Sequence, residues 1–124
     1  MVLNNFYRNI KTSSSFSSNS FIGKFIFRGI WDDNEYWKLE KDLLKIYKNY
    51  RHKNVPRKIF ADILSISGVF LISNTSEILF KKNGILQPYY SLGFNPKERY
   101  DVLIYCIFGL YEKEFNVYDF EYQE

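Results

Sequence analysis

NPKERYDVLIYCIFGLYEKE, residues 95–114, includes ten consecutive residues without a charged side chain, residues 102–111. Asn95 can cap a helix, Pro96 suits the first helical position, and Glu98 supplies the carboxylate of a capping box. The uncharged run is well short of the roughly 20 residues that a membrane-spanning helix needs. We therefore predict a central apolar core helix over about residues 96–113.

Flanking amphipathic helices are predicted on the N-terminal side of this segment. Residues 32–50 begin with a capping box formed by Asp32 and Glu35 and end in lysines that complement the helix dipole. Their apolar stripe comprises Tyr36, Leu39, Leu43, Ile46 or Tyr47, and Tyr50. Residues 3–10 have the apolar spacing of a short helix, whereas the Ser-rich residues 11–20 favour a loop.

A further helix is predicted over residues 55–74, with Pro56 in its first turn. Asp62, Ser65 and Ser67 are expected to point away from the core. The residues expected to face the core are Ile59, Phe60, Ile63, Leu64, Ile66, Phe70 and Leu71. Gly68 weakens the middle of this helix by about 1 kcal/mol relative to alanine and is compatible with a close helix crossing.

Strand-like sequence is short and scattered. Residues 21–31 are predicted as a strand or an irregular packed segment, and residues 117–122 alternate like a half-buried edge strand that pairs with them. Residues 75–82 fit either a short helix that stops at Asn83 and Gly84 or one arm of a hairpin that turns there. The predicted fold class is α+β, predominantly helical, in a single domain over residues 1–124.

Charge is unevenly distributed along the chain. The net charge is +3, yet no acidic residue precedes Asp32, and five carboxylates lie between Glu112 and Glu124. Aromatic residues make up 20% of the chain, a surplus that suits a protein interface or reflects nucleotide bias in the gene. The single cysteine, Cys106, predicts a small buried side chain rather than a disulfide. In the absence of an apolar signal segment, we expect a cytoplasmic protein.

No catalytic constellation is visible in the sequence. His52 is the only histidine, and the chain contains no GxGxxG, P-loop or CxxC motif. We therefore expect no enzyme activity, no cofactor and no metal site. The basic residues between positions 45 and 58, interleaved with Tyr47 and Tyr50, leave nucleic-acid binding by a small regulator as an alternative function.

Residues 29–44, GIWDDNEYWKLEKDLL, resemble the opening of a family of bacterial immunity proteins from contact-dependent growth inhibition and related polymorphic toxin systems. The resemblance implies a cytoplasmic protein that binds the C-terminal toxin domain of a CdiA-type effector, commonly a nuclease, and covers its active site or substrate surface. It also implies that the signature residues Gly29, Trp31 and Trp37 define the fold rather than contact the toxin.

The acidic C-terminal residues form the predicted toxin-binding site, since negative charge would attract a basic nuclease. Tyr118 is expected to face the core instead. The residues expected to contact the toxin are Glu112, Glu114, Asp119, Glu121 and Tyr122.

Overall fold

The computed structural model of the chain describes residues 1–50, 54–71 and 77–109. Its α-helices are α1 (Asn4–Tyr7), α2 (Phe21–Arg28), α3 (Asp33–Tyr50), α4 (Arg57–Leu71) and α5 (Lys97–Ile107). Its strands are β1 (Ile30–Asp32), β2 (Leu79–Lys82) and β3 (Ile85–Pro88), followed by a 3-10 turn over Tyr89–Ser91. No helix in these ranges is long and apolar enough to cross a membrane.

The three strands form one sheet in the order β1-β2-β3. Strand β1 pairs with β2 in parallel, with Ile30 opposite Leu79, and β2 pairs with β3 as an antiparallel hairpin. Helices outnumber strands and the sheet is mixed, so the predicted α+β, predominantly helical class is confirmed.

Helix α3 lies at the centre of the described chain and packs against α1, α2, α5 and the sheet. Aromatic rings from different elements meet beside it. Phe21 of α2 packs edge-to-face on Trp31 of β1, with ring centres 4.8 Å apart, and on Tyr36 of α3 at 5.2 Å. Phe70 of α4 lies 5.7 Å from Trp31 and joins that helix to the same core.

Helix α5 occupies the apolar stretch predicted as the central helix, but it is shorter and packs on one side. It ends at Ile107, and Gly109 follows with a positive φ of 70°. Tyr100 is buried, whereas Tyr105 is 49% exposed, because α5 packs on α3 with one face only. Asn95 acts at the helix start as predicted, since its Oδ1 accepts the Lys97 N–H at 3.1 Å.

Residues 21–28 form a helix, so the prediction of a strand or irregular segment was wrong there. Side chains outside α2 satisfy the free N–H groups of its first turn. The Ser20 hydroxyl accepts the Gly23 N–H at 3.0 Å, and the Asn9 side-chain oxygen accepts the Ile22 N–H at 2.8 Å. The strand prediction holds only for Ile30 and Trp31, which belong to β1, and the observed partner of β1 is β2. Residues 117–122, the predicted partner, lie outside the described residues.

Residues 75–82 were predicted to form either a short helix or one arm of a hairpin. In the part of this range that the structure describes, the chain forms the hairpin arm. Asn83 and Gly84 have φ angles of 51° and 81°. Positive φ at both central residues is the requirement of a type I′ turn, which joins twisted antiparallel strands. An Asn-Gly pair adopts this conformation at low cost because neither residue is strongly disfavoured in the left-handed region.

The core face of α4 differs from the prediction. Phe60, Leu64 and Leu71 are exposed, whereas Asp62 is buried and bonds to Lys58 at 2.9 Å. The ion pair satisfies the Asp62 carboxylate, so an acidic residue can occupy a buried position. A Cβ added at Gly68 would meet nothing within 4 Å, so no close crossing occurs at this residue. Residues 11–20 form turns, as expected of the Ser-rich loop.

Substitutions at two glycines distinguish a steric requirement for glycine from the low helix propensity of glycine. Gly23→Ala should lower the free energy of unfolding by about 2 kcal/mol or more, because its Cβ would press on backbone. That Cβ would lie 2.5 Å from the Ser17 carbonyl oxygen and 2.6 Å from that of Ser18. Gly68→Ala, the matched helical control with open space, should instead be stabilising by up to about 1 kcal/mol. Urea unfolding of both variants measures the difference, and equal effects would contradict the steric explanation.

Candidate binding surface

Gly29 joins the end of α2 to the start of the sheet. It closes α2 in the left-handed conformation with a φ of 62°, and its carbonyl accepts the Leu79 N–H at 3.0 Å. A Cβ at Gly29 would meet no atom within 4 Å, so backbone conformation rather than space favours glycine here.

Trp31 and Trp37, the other two signature residues, bind the same carboxylate. Trp31 Nε1 donates to Asp33 Oδ1 at 3.0 Å, and Trp37 Nε1 donates to Asp33 Oδ2 at 3.1 Å. Trp31 is 1% exposed and Trp37 is 6% exposed. Both indole rings are therefore almost wholly removed from the surface that a partner protein could touch.

Arg99 connects α5 to the same carboxylate. Its Nη2 donates to Asp33 Oδ1 at 2.5 Å, and its guanidinium carbon lies 4.7 Å from the ring centres of both Tyr36 and Trp37. A cation placed on aromatic faces adds attraction to that of the ion pair. We call Trp31, Asp33, Trp37 and Arg99 the Asp33 cluster.

Glu40 is buried beside this cluster, and neither of its carboxyl oxygens has a hydrogen-bond partner among the described residues. Burial raises the pKa of Glu40 to about 8 and the negative charge of Asp33 adds to the increase, whereas the positive charge of Arg99 opposes it. The nearby Tyr36 hydroxyl also lowers this pKa, although the two groups do not reach hydrogen-bond geometry. Glu40 is therefore mainly a neutral carboxylic acid at pH 7.

Replacing Glu40 tests this protonation state. The folded protein holds a proton that the unfolded chain releases above its ordinary carboxyl pKa, so wild-type stability should fall between about pH 4.5 and pH 8. Glu40→Gln should flatten this decline and be more stable than the wild type at pH 8.5 by about 1–3 kcal/mol. Urea unfolding at pH 5, 7 and 8.5 measures it, with Glu98→Gln at an exposed position as control. Parallel pH curves for the wild type and Glu40→Gln would refute a buried proton.

The Arg99–Asp33 pair should matter far more than a surface pair on the same helix. Arg99→Met leaves a buried carboxylate without its cation and should cost about 3 kcal/mol of stability. Lys97→Met removes the half-exposed Lys97–Asp101 pair, whose atoms are 3.8 Å apart, and should cost less than about 1 kcal/mol. Thermal or urea unfolding of the two variants gives the comparison. Similar losses of stability in the two variants would mean that the burial of Asp33 does not make its ion pair more important for stability.

Large apolar side chains are exposed on the outermost strand of the sheet. All four residues of β3 are exposed, with Ile85 at 70% and Leu86 at 52%. Further large apolar side chains are exposed on β2 and in the residues after β3. Because side chains alternate along a strand, Leu79 and Leu86 lie on one face of the hairpin, and Ile85 lies on the other, the face of Phe80, against which Phe94 packs. We call the set, which spans both faces, the hairpin surface, and it comprises Leu79, Ile85, Leu86, Tyr90 and Phe94.

The hairpin surface is held on a fixed support. The Asn34 side chain accepts the Asn83 N–H at 2.8 Å and donates to the Asn83 side-chain oxygen at 2.9 Å. These two bonds tie the turn to the first turn of α3. Phe80, which is buried, and the parallel pairing with β1 fix the other end of the hairpin. The surface is therefore preorganised for binding.

The residues predicted to contact the toxin cannot be placed, because residues 110–124 lie outside the described part of the chain. The same holds for Arg51, His52 and Lys53 of the basic stretch. Two lysines of that stretch have carboxylate partners: Lys45 lies 3.3 Å from Asp42, and Lys58 lies 2.9 Å from Asp62. Their positive charges are thus partly neutralised by the protein itself.

Sequence reasoning missed three features. Asp33 was not predicted to bind a tryptophan, although its spacing of four from Trp37 places both on one helix face. Glu40 shares the face of Tyr36 and Leu43, a signal of burial that a charged side chain obscures. The sequence contains no comparable signal for Arg99, whose partner is 66 positions away.

A hairpin that is anchored at both ends, and whose apolar outer edge no other described strand covers, is typical of a protein-binding domain. Within the described ranges, no group of three or more His, Cys, Asp or Glu side chains could hold a metal ion. The family model of Immunity protein 41 matches residues 8–121, and the chain belongs to this family. No significant match exists among curated proteins or solved structures. Membership of an immunity protein family implies a cognate toxin as partner and neutralisation of that toxin as function.

Proposed function

We propose that this protein neutralises the C-terminal toxin domain of a CdiA-type effector of contact-dependent growth inhibition, in the cytoplasm. The family match over residues 8–121 carries the proposal. The resemblance of residues 29–44 to the opening of contact-dependent growth inhibition immunity proteins supports the CdiA-type assignment. The toxin activity that we propose is that of a nuclease, blocked when the immunity protein covers its active site or substrate surface.

Binding, rather than catalysis, is the proposed mode of action. An inhibitor of this kind needs shape and charge complementarity and no reactive group of its own. The hairpin surface offers exposed Tyr90 and Phe94, and aromatic side chains are favoured at interfaces because they contribute large contact areas with few rotatable bonds. The C-terminal residues Glu112, Glu114, Asp119, Glu121 and Tyr122, four of them acidic, remain our proposed contacts with a basic nuclease.

Titration calorimetry tests the function directly. The purified protein is titrated with the C-terminal toxin domain encoded immediately upstream in its own genome, and with a non-cognate toxin domain as control. We expect nanomolar affinity, about −12 kcal/mol, for the cognate domain alone. Inhibition of the toxin's nuclease activity by one equivalent of this protein would show, in addition, that binding blocks that activity. Absence of binding, or equal binding to both domains, would overturn the proposal.

A charge-removal variant tests the proposed acidic contacts. Asp119→Asn with Glu121→Gln should slow association with the toxin domain by about tenfold at low salt and flatten its salt dependence, because long-range attraction is lost. Stopped-flow association at several salt concentrations measures this. Glu98→Gln with Asp101→Asn removes the same charge from α5 and is the matched control. If both double variants associate at the same rate, the acidic C-terminal residues are not the contact.

A further inference from the structure

The outer edge of β3 presents backbone groups with which no other described strand pairs. In the antiparallel hairpin, Lys82 lies opposite Ile85 and Phe80 lies opposite Gln87. The Tyr89 N–H bonds to the Ile78 carbonyl at 2.9 Å and continues this series of hydrogen-bonded pairs. Because hydrogen-bonded and non-hydrogen-bonded pairs alternate, the N–H and carbonyl of Leu86 face away from β2.

Nothing in the described part of the chain covers this edge. The sheet ends at β3, and no other strand of residues 1–50, 54–71 or 77–109 pairs with its outer side. Exposed edges are commonly protected by inward-facing charges, bulges or a covering element. Strand β3, with the sequence ILQP, carries no charge. Pro88 limits the edge at one end, since it has no N–H to donate.

The charge around the edge indicates the chemistry of its occupant. Residues 78–97 include Lys81, Lys82 and Lys97 but no acidic residue. Lys81 and Lys82 lie opposite Leu86 and Ile85 in the hairpin, next to the free edge. Two copies paired edge to edge would leave their lysine-bearing β2 strands roughly 14 Å apart, three strand spacings, and would bring no acidic side chain of either hairpin to these lysines. A partner strand with acidic side chains would instead be attracted.

We propose that β3 accepts an extended segment of the toxin domain as a fourth strand, with apolar side chains on the hairpin surface and acidic side chains beside Lys81 and Lys82. This proposal rests on the function proposed above and names where the toxin binds. The Leu86 N–H and carbonyl supply backbone hydrogen bonds, and Ile85 and Leu86 supply apolar contact. The preorganised hairpin reduces the ordering that binding requires.

Amide hydrogen exchange of the full-length protein gives a direct test with the cognate toxin domain as probe. In the free protein the Leu86 amide should exchange quickly, whereas the Gln87 amide, which faces Phe80, is already protected. In the complex, exchange at Leu86 should slow by at least about tenfold while Gln87 changes little. A complex that forms with Leu86 still exchanging quickly would overturn this proposal and leave the proposed function intact.

Substitution at the edge gives a second, independent test. Leu86→Pro removes the outward N–H without removing a hairpin hydrogen bond, and should weaken toxin binding by about tenfold or more. Leu86→Val keeps the N–H and an apolar side chain, and should stay within about threefold of the wild type. Circular dichroism checks folding. If the proline variant unfolds, Leu86→Glu replaces it, and its negative charge should weaken binding of an acidic segment by about tenfold.

Charge reversal tests the acidic character of the partner. Lys81→Glu with Lys82→Glu should weaken toxin binding by about tenfold at low salt, whereas the matched exposed pair Lys11→Glu with Lys48→Glu should not. Unchanged affinity of the edge variants overturns the proposal. A wild-type dimer that Leu86→Pro converts to a monomer in light scattering would overturn it too, because the occupant would be a second copy. If the wild type binds no toxin, the proposed function fails together with this inference.

Discussion

The Asp33 carboxylate is the point at which the main elements of this structure are joined. It accepts two indole N–H groups and one guanidinium N–H, from β1, α3 and α5. A carboxylate so deeply buried would be strongly destabilising without such partners, and each partner would in turn lose its hydrogen bond without Asp33. The positions of the signature tryptophans and of the apolar helix of residues 97–107 therefore depend on one buried carboxylate, that of Asp33.

The elements that local sequence determines were predictable. Helix α3 has its cap, its apolar stripe and its charge gradient in consecutive residues, and it was predicted to within one residue at its start. The Asn-Gly turn likewise contains its own conformational preference, although residues 75–82 alone could not exclude a helix. The start of α5 was predicted from Asn95 and Pro96. Its end was not, because Gly109 was included in the apolar run although a glycine in the left-handed conformation commonly ends a helix.

The features that long-range contacts determine were not predictable. Residues 21–28 are rich in aromatic and β-branched side chains, which favour a strand. They nevertheless form a helix, and Asn9, thirteen positions before Ile22, accepts the Ile22 N–H at the start of that helix. Burial of Glu40 and Asp62 was missed, although each lies on the apolar face of its helix, because a charged side chain is ordinarily expected to be exposed. The candidate site divides in the same way. The hairpin turn was visible in sequence, whereas the exposure of its outer edge depends on where the sheet stops.

The parallel pairing of β1 with β2 has a kinetic consequence. Asn34 and Asn83, which bond across this junction, are separated by 49 positions. Closing so long a segment costs chain entropy before the contacts between its ends can stabilise the structure. The hairpin and the helices, in contrast, form from residues that are neighbours in sequence. We expect the hairpin to form early and to dock on β1 late. The surface proposed to meet the toxin would then acquire its final position only in the last stage of folding.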